Sequence, residues 1–179
     1  IVIKLGTGLL TSGVGKLDIT RIKKLSEKFT LFKKQGMEVI IVSSGAIGLG
    51  MGRLNLKKRP TDLATLQACA AIGQTILVDT WQNAFDPCKI TVAQLLLTQD
   101  DIRGRNRHVN IKNTIEKLLS LDIVPIINEN DSISTEEITF GDNDILSALV
   151  ASLTRAQMLL ILSTIPGLID RKGSGKIVP

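Results

Sequence analysis

The sequence predicts an α/β fold, a three-layer α/β/α sandwich on a mainly parallel sheet. Two observations predict it. The strand-length segments, such as Val39-Ile40-Ile41-Val42 and Ile123-Val124-Pro125-Ile126-Ile127, are apolar throughout rather than alternating, as in strands covered on both faces. Segments with helical spacing lie between them, and strand-helix alternation gives parallel strands joined by crossover helices. The 179 residues suit one domain, and no linker or internal repeat divides residues 1–179.

Residues 1–5 read as the first strand, closed by Gly6-Thr7-Gly8. Ile22, Leu25, Phe29 and Phe32 then recur at helical spacing. Asp18 suits the N-cap of that helix, Lys33 and Lys34 suit its last turn, and Gly36 suits the position after it. The strand at 38–42 runs into Ser43-Ser44-Gly45-Ala46-Ile47-Gly48, a small-residue turn that starts a helix. Pro60 opens a long helix over 61–85, where Ala64, Ala68, Ala70, Ala71 and Gly73 permit close helix packing. A strand follows at 90–97, then a helix capped by Asn110 and carrying Ile111, Ile115, Leu118 and Leu119. The strand at 123–127 leads through a polar loop, 128–140, to Gly141-Asp142-Asn143-Asp144 at the head of another helix. The last strand, 157–162, precedes Gly167 and a Gly/Lys-rich tail. Both ends look cut, so the domain is expected to be incomplete at its C-terminus.

Composition removes several function classes. The chain is 44% hydrophobic and 22% charged, which excludes disordered, collagen-like and low-complexity chains. With only Cys69 and Cys88, a disulfide framework and a cysteine zinc cluster are excluded, and two sparse thiols suit the reducing cytoplasm. A single histidine, His108, makes a Ser-His-Asp triad or a His-rich metal site improbable. Beside Arg103, Arg105 and Arg107 it reads as a surface residue. The net charge of +5 allows an anionic partner. The longest basic run, Lys57-Lys58-Arg59, reads as a solvated loop, and 3% aromatics with no Tyr argue against base stacking, so no nucleic-acid partner is expected. No apolar run reaches 18 residues, so no membrane span is expected.

Ligands of parallel sheets bind outside the carboxyl ends of the strands. Four strand ends here carry polar or glycine-rich turns: Lys4 to Gly8, Ser43 to Ala46, Asn128 to Asp131, and Ser163 to Gly167. Gly6 and Gly8 would let backbone N–H groups approach a phosphate, or would simply make a tight turn. Gly45 beside Ser44 offers a second anion cradle, and Ser44 equally suits a helix N-cap. Lys4 lies in an apolar strand, where its ammonium either reaches solvent or neutralises a bound anion. Asn128-Glu129-Asn130-Asp131 and Asp142-Asn143-Asp144 gather carboxylates and amides in two short segments. They suit an ammonium, a Mg²⁺ ion or the ordering of a cationic side chain, and Asp144 also suits a plain helix N-terminus. Gly13-Val14-Gly15-Lys16 lacks Walker A spacing, and Gly48, Gly50 and Gly52 do not make a dinucleotide fingerprint.

Ile3-Lys4-Leu5-Gly6-Thr7, Val42-Ser43-Ser44-Gly45-Ala46-Ile47, Pro125 to Asp131 and Phe140 to Ala148 resemble the glutamate 5-kinases of the amino acid kinase superfamily. Segments 67–74 and 94–98 also resemble that family. The resemblance covers nearly the whole chain and implies ATP-dependent phosphorylation of the γ-carboxylate of L-glutamate, the first step of proline biosynthesis. It implies that Lys4 contacts the ATP phosphates and that Ser44, Asp131 and Asn143 bind glutamate, with Gly45 and Asn128 beside them. It gives Asp144 the task of organising the phosphate-binding lysines, and Gly6, Thr7, Gly8, Ser163 and Thr164 places around the nucleotide. Mg²⁺ is implied with ATP, without protein metal ligands. The family carries Ser at the position of Gly8 and Asp at that of Thr164, and its kinase domain continues past the point where this chain stops. Further expectations are proline as a feedback ligand, a γ-glutamyl phosphate reductase as downstream partner, and a homo-oligomer. The alternatives are a kinase for another small anion, such as N-acetylglutamate, and an amino-acid-binding regulatory domain without turnover.

Overall fold

The computed structural model describes residues 1–13, 15–133, 142–164 and 167; Phe140, Gly141 and the Gly/Lys-rich tail lie outside the described residues. The elements run β1 (Val2–Leu5), α1 (Thr7–Leu10), β2 (Thr11–Gly13), β3 (Lys16–Leu17), α2 (Ile19–Lys34), β4 (Ile40–Ser43) and α3 (Ala46–Arg53). They continue α4 (Leu63–Phe85), β5 (Val92–Leu97), α5 (Gln99–Arg103), α6 (Arg105–Ser120), β6 (Val124–Glu129), α7 (Asp142–Leu153) and β7 (Leu159–Leu162). Five strands form one sheet in the order β5-β6-β4-β1-β7, and every neighbouring pair is parallel.

Side-chain alternation divides the strands between two apolar layers. Ile3, Leu5, Ile41 and Ile126 pack with Phe29, Leu77, Trp81 and Phe85 of α2 and α4. Val2, Ile40, Val42 and Ile127 pack with Ile115, Leu146, Val150 and Leu153 of α6 and α7. The same parity assigns the polar positions. Ser43 follows Ile41 onto the α4 face, where its Oγ accepts from the buried Trp81 indole N–H at 3.1 Å. Lys4 alternates with Val2 and so belongs to the α7 face. Asn128 alternates with Ile126 and belongs to the α4 face.

Helices α3 and α4 cross with their backbones nearly touching. A Cβ on Gly50 would lie 1.9 Å from the Cys69 carbonyl oxygen, and one on Gly73 would lie 1.7 Å from that of Ala46. The small residues of the long helix thus admit α3, whose first turn carries a strand-end loop.

Local signals held at some positions and failed at others. Asp18 caps α2, accepting from the Arg21 N–H at 2.9 Å, and Gly36 has φ +81 just beyond that helix. The long helix begins at Leu63 rather than after Pro60, because the Asp62 carboxylate accepts from the Thr65 N–H at 2.8 Å. Asn110 is not a cap: it lies inside α6, which starts at Arg105 after Gly104. The separate helix α5 is opened by a capping box in which Thr98 and Asp101 satisfy each other's backbone N–H groups. Gly13 and Gly15 belong to the unforeseen β2-β3 hairpin, and Gly15, at φ +71, abuts Gly52 of α3.

Candidate functional site

The sheet hydrogen bonds continue past the strands and fix the polar turns. The Gly6 N–H donates to the Leu162 carbonyl at 3.1 Å, the Ser44 N–H to Leu5 at 3.2 Å, and the Asn130 N–H to Leu97 at 2.9 Å. The turns therefore start at one level along the sheet. They also approach one another: a Cβ on Gly45 would be 3.9 Å from Thr7 Cγ2, and one on Gly8 would be 3.3 Å from Thr164 Cγ2. The expected convergence of four strand ends is present.

Each glycine has a narrower task than the sequence indicated. The Gly6 N–H is committed to Leu162, so in this turn the N–H groups of Thr7 and Gly8, in the first turn of α1, are the ones available to an anion. A Cβ on Gly6 would come within 3.5 Å of Lys4 Nζ. Gly45 is the N-cap of α3 at φ +114, a left-handed conformation that favours glycine. Ser44 is therefore not the cap, and its hydroxyl serves a different contact.

Lys4 is buried, with 8% of its surface exposed, and its Nζ lies 2.7 Å from Asp144 Oδ1. The ammonium thus emerges at the N-terminal turn of α7. Of the open readings of Asp144, the ordering of a cationic side chain is realised. Its carboxylate is half-exposed, so the pair sits at the edge of the site rather than deep in the core. Among the described residues no group of three or more His, Cys, Asp or Glu side chains could hold a metal ion.

Beside this pair lies a chain of amides. Asn143 Nδ2 donates to Ser44 Oγ at 2.7 Å and to Asn128 Oδ1 at 2.9 Å. Asn128, 2% exposed, passes the bond on: its Nδ2 donates to Gln74 Oε1 of α4 at 2.9 Å. Among the described residues, the Asn143 Oδ1 and Gln74 Nε2 atoms are buried without a hydrogen-bond partner. A small pocket opens at the Gln74 end, lined by Ala46, Gln74, Asn128, Glu129, Asp131 and Ser132 among others. Asp131 and Asn128 thus share a pocket, and Asn143 links it to Ser44 and, one residue on, to the Lys4–Asp144 pair.

Ser163 and Thr164 are exposed just beyond β7, with Thr164 against Gly8. His108 lies apart on α6, half-buried, with its Nδ1 3.0 Å from the Ile102 carbonyl oxygen. Lys57, Lys58 and Arg59 are exposed. Gln74 is the functional candidate that the sequence reading missed. The available signal was one amide in an otherwise small and apolar stretch, Ala70 to Leu77, which resembles any helix with a polar stripe.

Comparison with known proteins identifies the family. The amino acid kinase family model matches residues 1–178. A glutamate 5-kinase from Mycolicibacterium vanbaalenii is 48% identical over 182 residues, covering 100% of this chain and 50% of that protein. Those from Caldanaerobacter subterraneus and Mycolicibacterium smegmatis are 47% and 50% identical, covering 96% and 95% of this chain and 46% of each relative. The chain spans about half the length of these curated relatives. The parallel sheet, the strand-end turns and a family match over almost every residue lead to one assignment: the chain belongs to the amino acid kinase family.

Proposed function

We propose that residues 1–179 belong to a single kinase domain of a protein that transfers the γ-phosphoryl group of ATP to the γ-carboxylate of L-glutamate, giving γ-glutamyl phosphate. The observation that carries this reading is the buried Lys4 ammonium, held by Asp144 beside the pocket of Asn128 and Asp131. A glutamate carboxylate is already ionised at pH 7, so it can attack phosphorus without a general base. The protein must then align the reactants and neutralise developing charge. A site built of Lys, Asp and amides is suited to that task.

The proposed roles are as follows. Lys4 faces the transferring phosphoryl oxygens, and Asp144 holds Lys4 in place. Asp131 takes the substrate ammonium, while Ser44, Gly45, Asn128 and Asn143 shape the amino-acid side. Gly6, Thr7, Gly8, Ser163 and Thr164 border the nucleotide. The turn suits a phosphate because Gly6 leaves room beside Lys4 Nζ and Gly8 leaves room beside Thr164. ATP would supply the transferable group, and Mg²⁺ bound to its phosphates would neutralise part of their charge. A labile acyl phosphate product favours direct use by a reductase. Proline as a feedback ligand, self-association and a cytoplasmic setting belong to the same reading, as does the start of proline biosynthesis. No helix among the described residues is long and apolar enough to cross a membrane.

The test is to incubate the protein with L-glutamate, Mg²⁺, ATP and hydroxylamine and to measure γ-glutamyl hydroxamate. Lys4→Met should lower the rate by about 10²-fold or more, comparable to the loss of one preorganised oxyanion donor. Near-normal turnover in that variant would refute the assigned role.

A further inference from the structure

Gln74 lies in α4, outside the four strand-end turns, yet it lines the same pocket as Asp131. It is 6% exposed, and its Nε2 has no hydrogen-bond partner among the described residues. A buried amide NH₂ group without an acceptor is costly, and such exceptions in native proteins call for an explanation. A ligand acceptor provides one.

The direction in which Gln74 presents its amide is not free. Asn128 Nδ2 donates to Gln74 Oε1, and Asn128 can offer that nitrogen because its Oδ1 accepts from Asn143 Nδ2. Three amides are thus aligned head to tail. One end leaves an NH₂ group at the pocket, and the other leaves the buried Asn143 Oδ1 as an unused acceptor. Reversing Gln74 alone would set its NH₂ group against that of Asn128. The relay therefore fixes a donor at one end and an acceptor at the other.

This polarity matches a zwitterionic amino acid. The reacting carboxylate must lie by Lys4, and Gln74 is at the far end of the amide chain from the Lys4–Asp144 pair. We propose that Gln74 is a specificity-determining residue whose Nε2 donates to the α-carboxylate of the substrate, with Asn128 as the positioning residue that holds it in that sense. This rests on reading the pocket as a glutamate site. The chemical class selected is an α-amino acid with a free α-carboxylate.

The test compares L-glutamate with its α-amide, L-isoglutamine, by calorimetric titration of the protein and of its Gln74→Met and Gln74→Glu variants. Urea midpoints are measured in parallel. Gln74→Met should weaken L-glutamate by roughly 10-fold or more, the range of a hydrogen bond to a charged group. Gln74→Glu should weaken L-glutamate at least as much and should shift preference towards the α-amide, because its carboxylate repels one ligand and accepts from the other. A purely structural role would not reverse that preference. A folded Gln74→Glu protein with the parent's preference would overturn the proposal. If that variant does not fold, L-glutamate affinity within twofold of the parent in Gln74→Met would overturn it equally. If the unsubstituted protein binds no L-glutamate, the functional reading itself fails; if it binds and the variants do not discriminate, only the role of Gln74 fails.

Discussion

Substitution of Gly73 by Ala tests the close crossing that brings α3 and its first-turn loop to the site. The added methyl carbon would sit 1.7 Å from the Ala46 carbonyl oxygen and 2.6 Å from the Gly50 nitrogen. Both neighbours are backbone, so no side chain can swing away. Restoring even a 3.0 Å approach to Ala46 requires the helices to part by about 1.3 Å. Overpacking of this kind costs about 1–3 kcal/mol, occasionally more. Alanine's advantage inside a helix, about 0.5–1 kcal/mol, offsets only part of it. Gly48→Ala in α3 is the matched control: its Cβ would meet nothing within 4 Å, so only the favourable helix effect remains. Urea unfolding should therefore place Gly73→Ala below the parent by roughly 0.5–2 kcal/mol and Gly48→Ala level with or slightly above it. In melting temperature the loss is about 2–4 °C per kcal/mol for a chain of this size. Equal stability of Gly73→Ala and the parent would refute the backbone contact on which the α3 placement depends.

Two further outcomes follow from local chemistry. Burial pushes the Asp101 carboxyl up, but hydrogen bonds from Thr98 and the nearby Arg107 guanidinium outweigh it and hold the group below the usual carboxylate range. A depressed folded-state pKa adds stability above the unfolded value near 4, and that stability is lost as pH falls through the folded value. Asp101→Asn should accordingly lower stability at pH 7 by about 0.5–2 kcal/mol, the scale of a helix cap, and the gap from the parent should shrink in strong acid; a gap independent of pH would count against this account. Burial, followed by the Asp62 carboxylate, raises the Cys69 thiol pKa, and Cys69 is fully buried while Cys88 is partly exposed. Iodoacetamide should modify Cys88 first in the native protein and Cys69 only with unfolding, as read by peptide mass spectrometry; equal native rates would contradict the packing of α4.

The layers and strand-end turns were legible because buried parallel strands leave continuous apolar runs, and each run here ends in a polar or glycine-rich turn. The Asp18 cap was legible because its chemistry is local. The β2-β3 hairpin was not, since the two-residue strand Lys16–Leu17 is too short to show a period. The division of α5 from α6 rests on Gly104, a weaker signal than the Asn110 that stood closer to the apolar stripe. Lys4 and Asp144 were each visible as unusual residues, and family resemblance linked Asp144 to lysines. The 2.7 Å contact follows from strand parity, which places Lys4 on the face covered by α7. Gln74 escaped because burial and an unused donor are properties of the folded chain, whereas a glutamine in a helix suits solvent equally well.

The central claim is that this pocket holds an amino acid by its free ammonium, with Asp131 as partner, and presents the distal carboxylate to Lys4. Calorimetric titration with L-glutamate and with N-acetyl-L-glutamate tests it most directly, because acetylation removes the positive charge and leaves both carboxylates. The account predicts that L-glutamate binds at least about 10-fold more tightly, since an unmatched carboxylate contact costs on the order of 1–3 kcal/mol. It also predicts that Asp131→Asn removes most of that preference. Equal or tighter binding of N-acetyl-L-glutamate by the unsubstituted protein would contradict it.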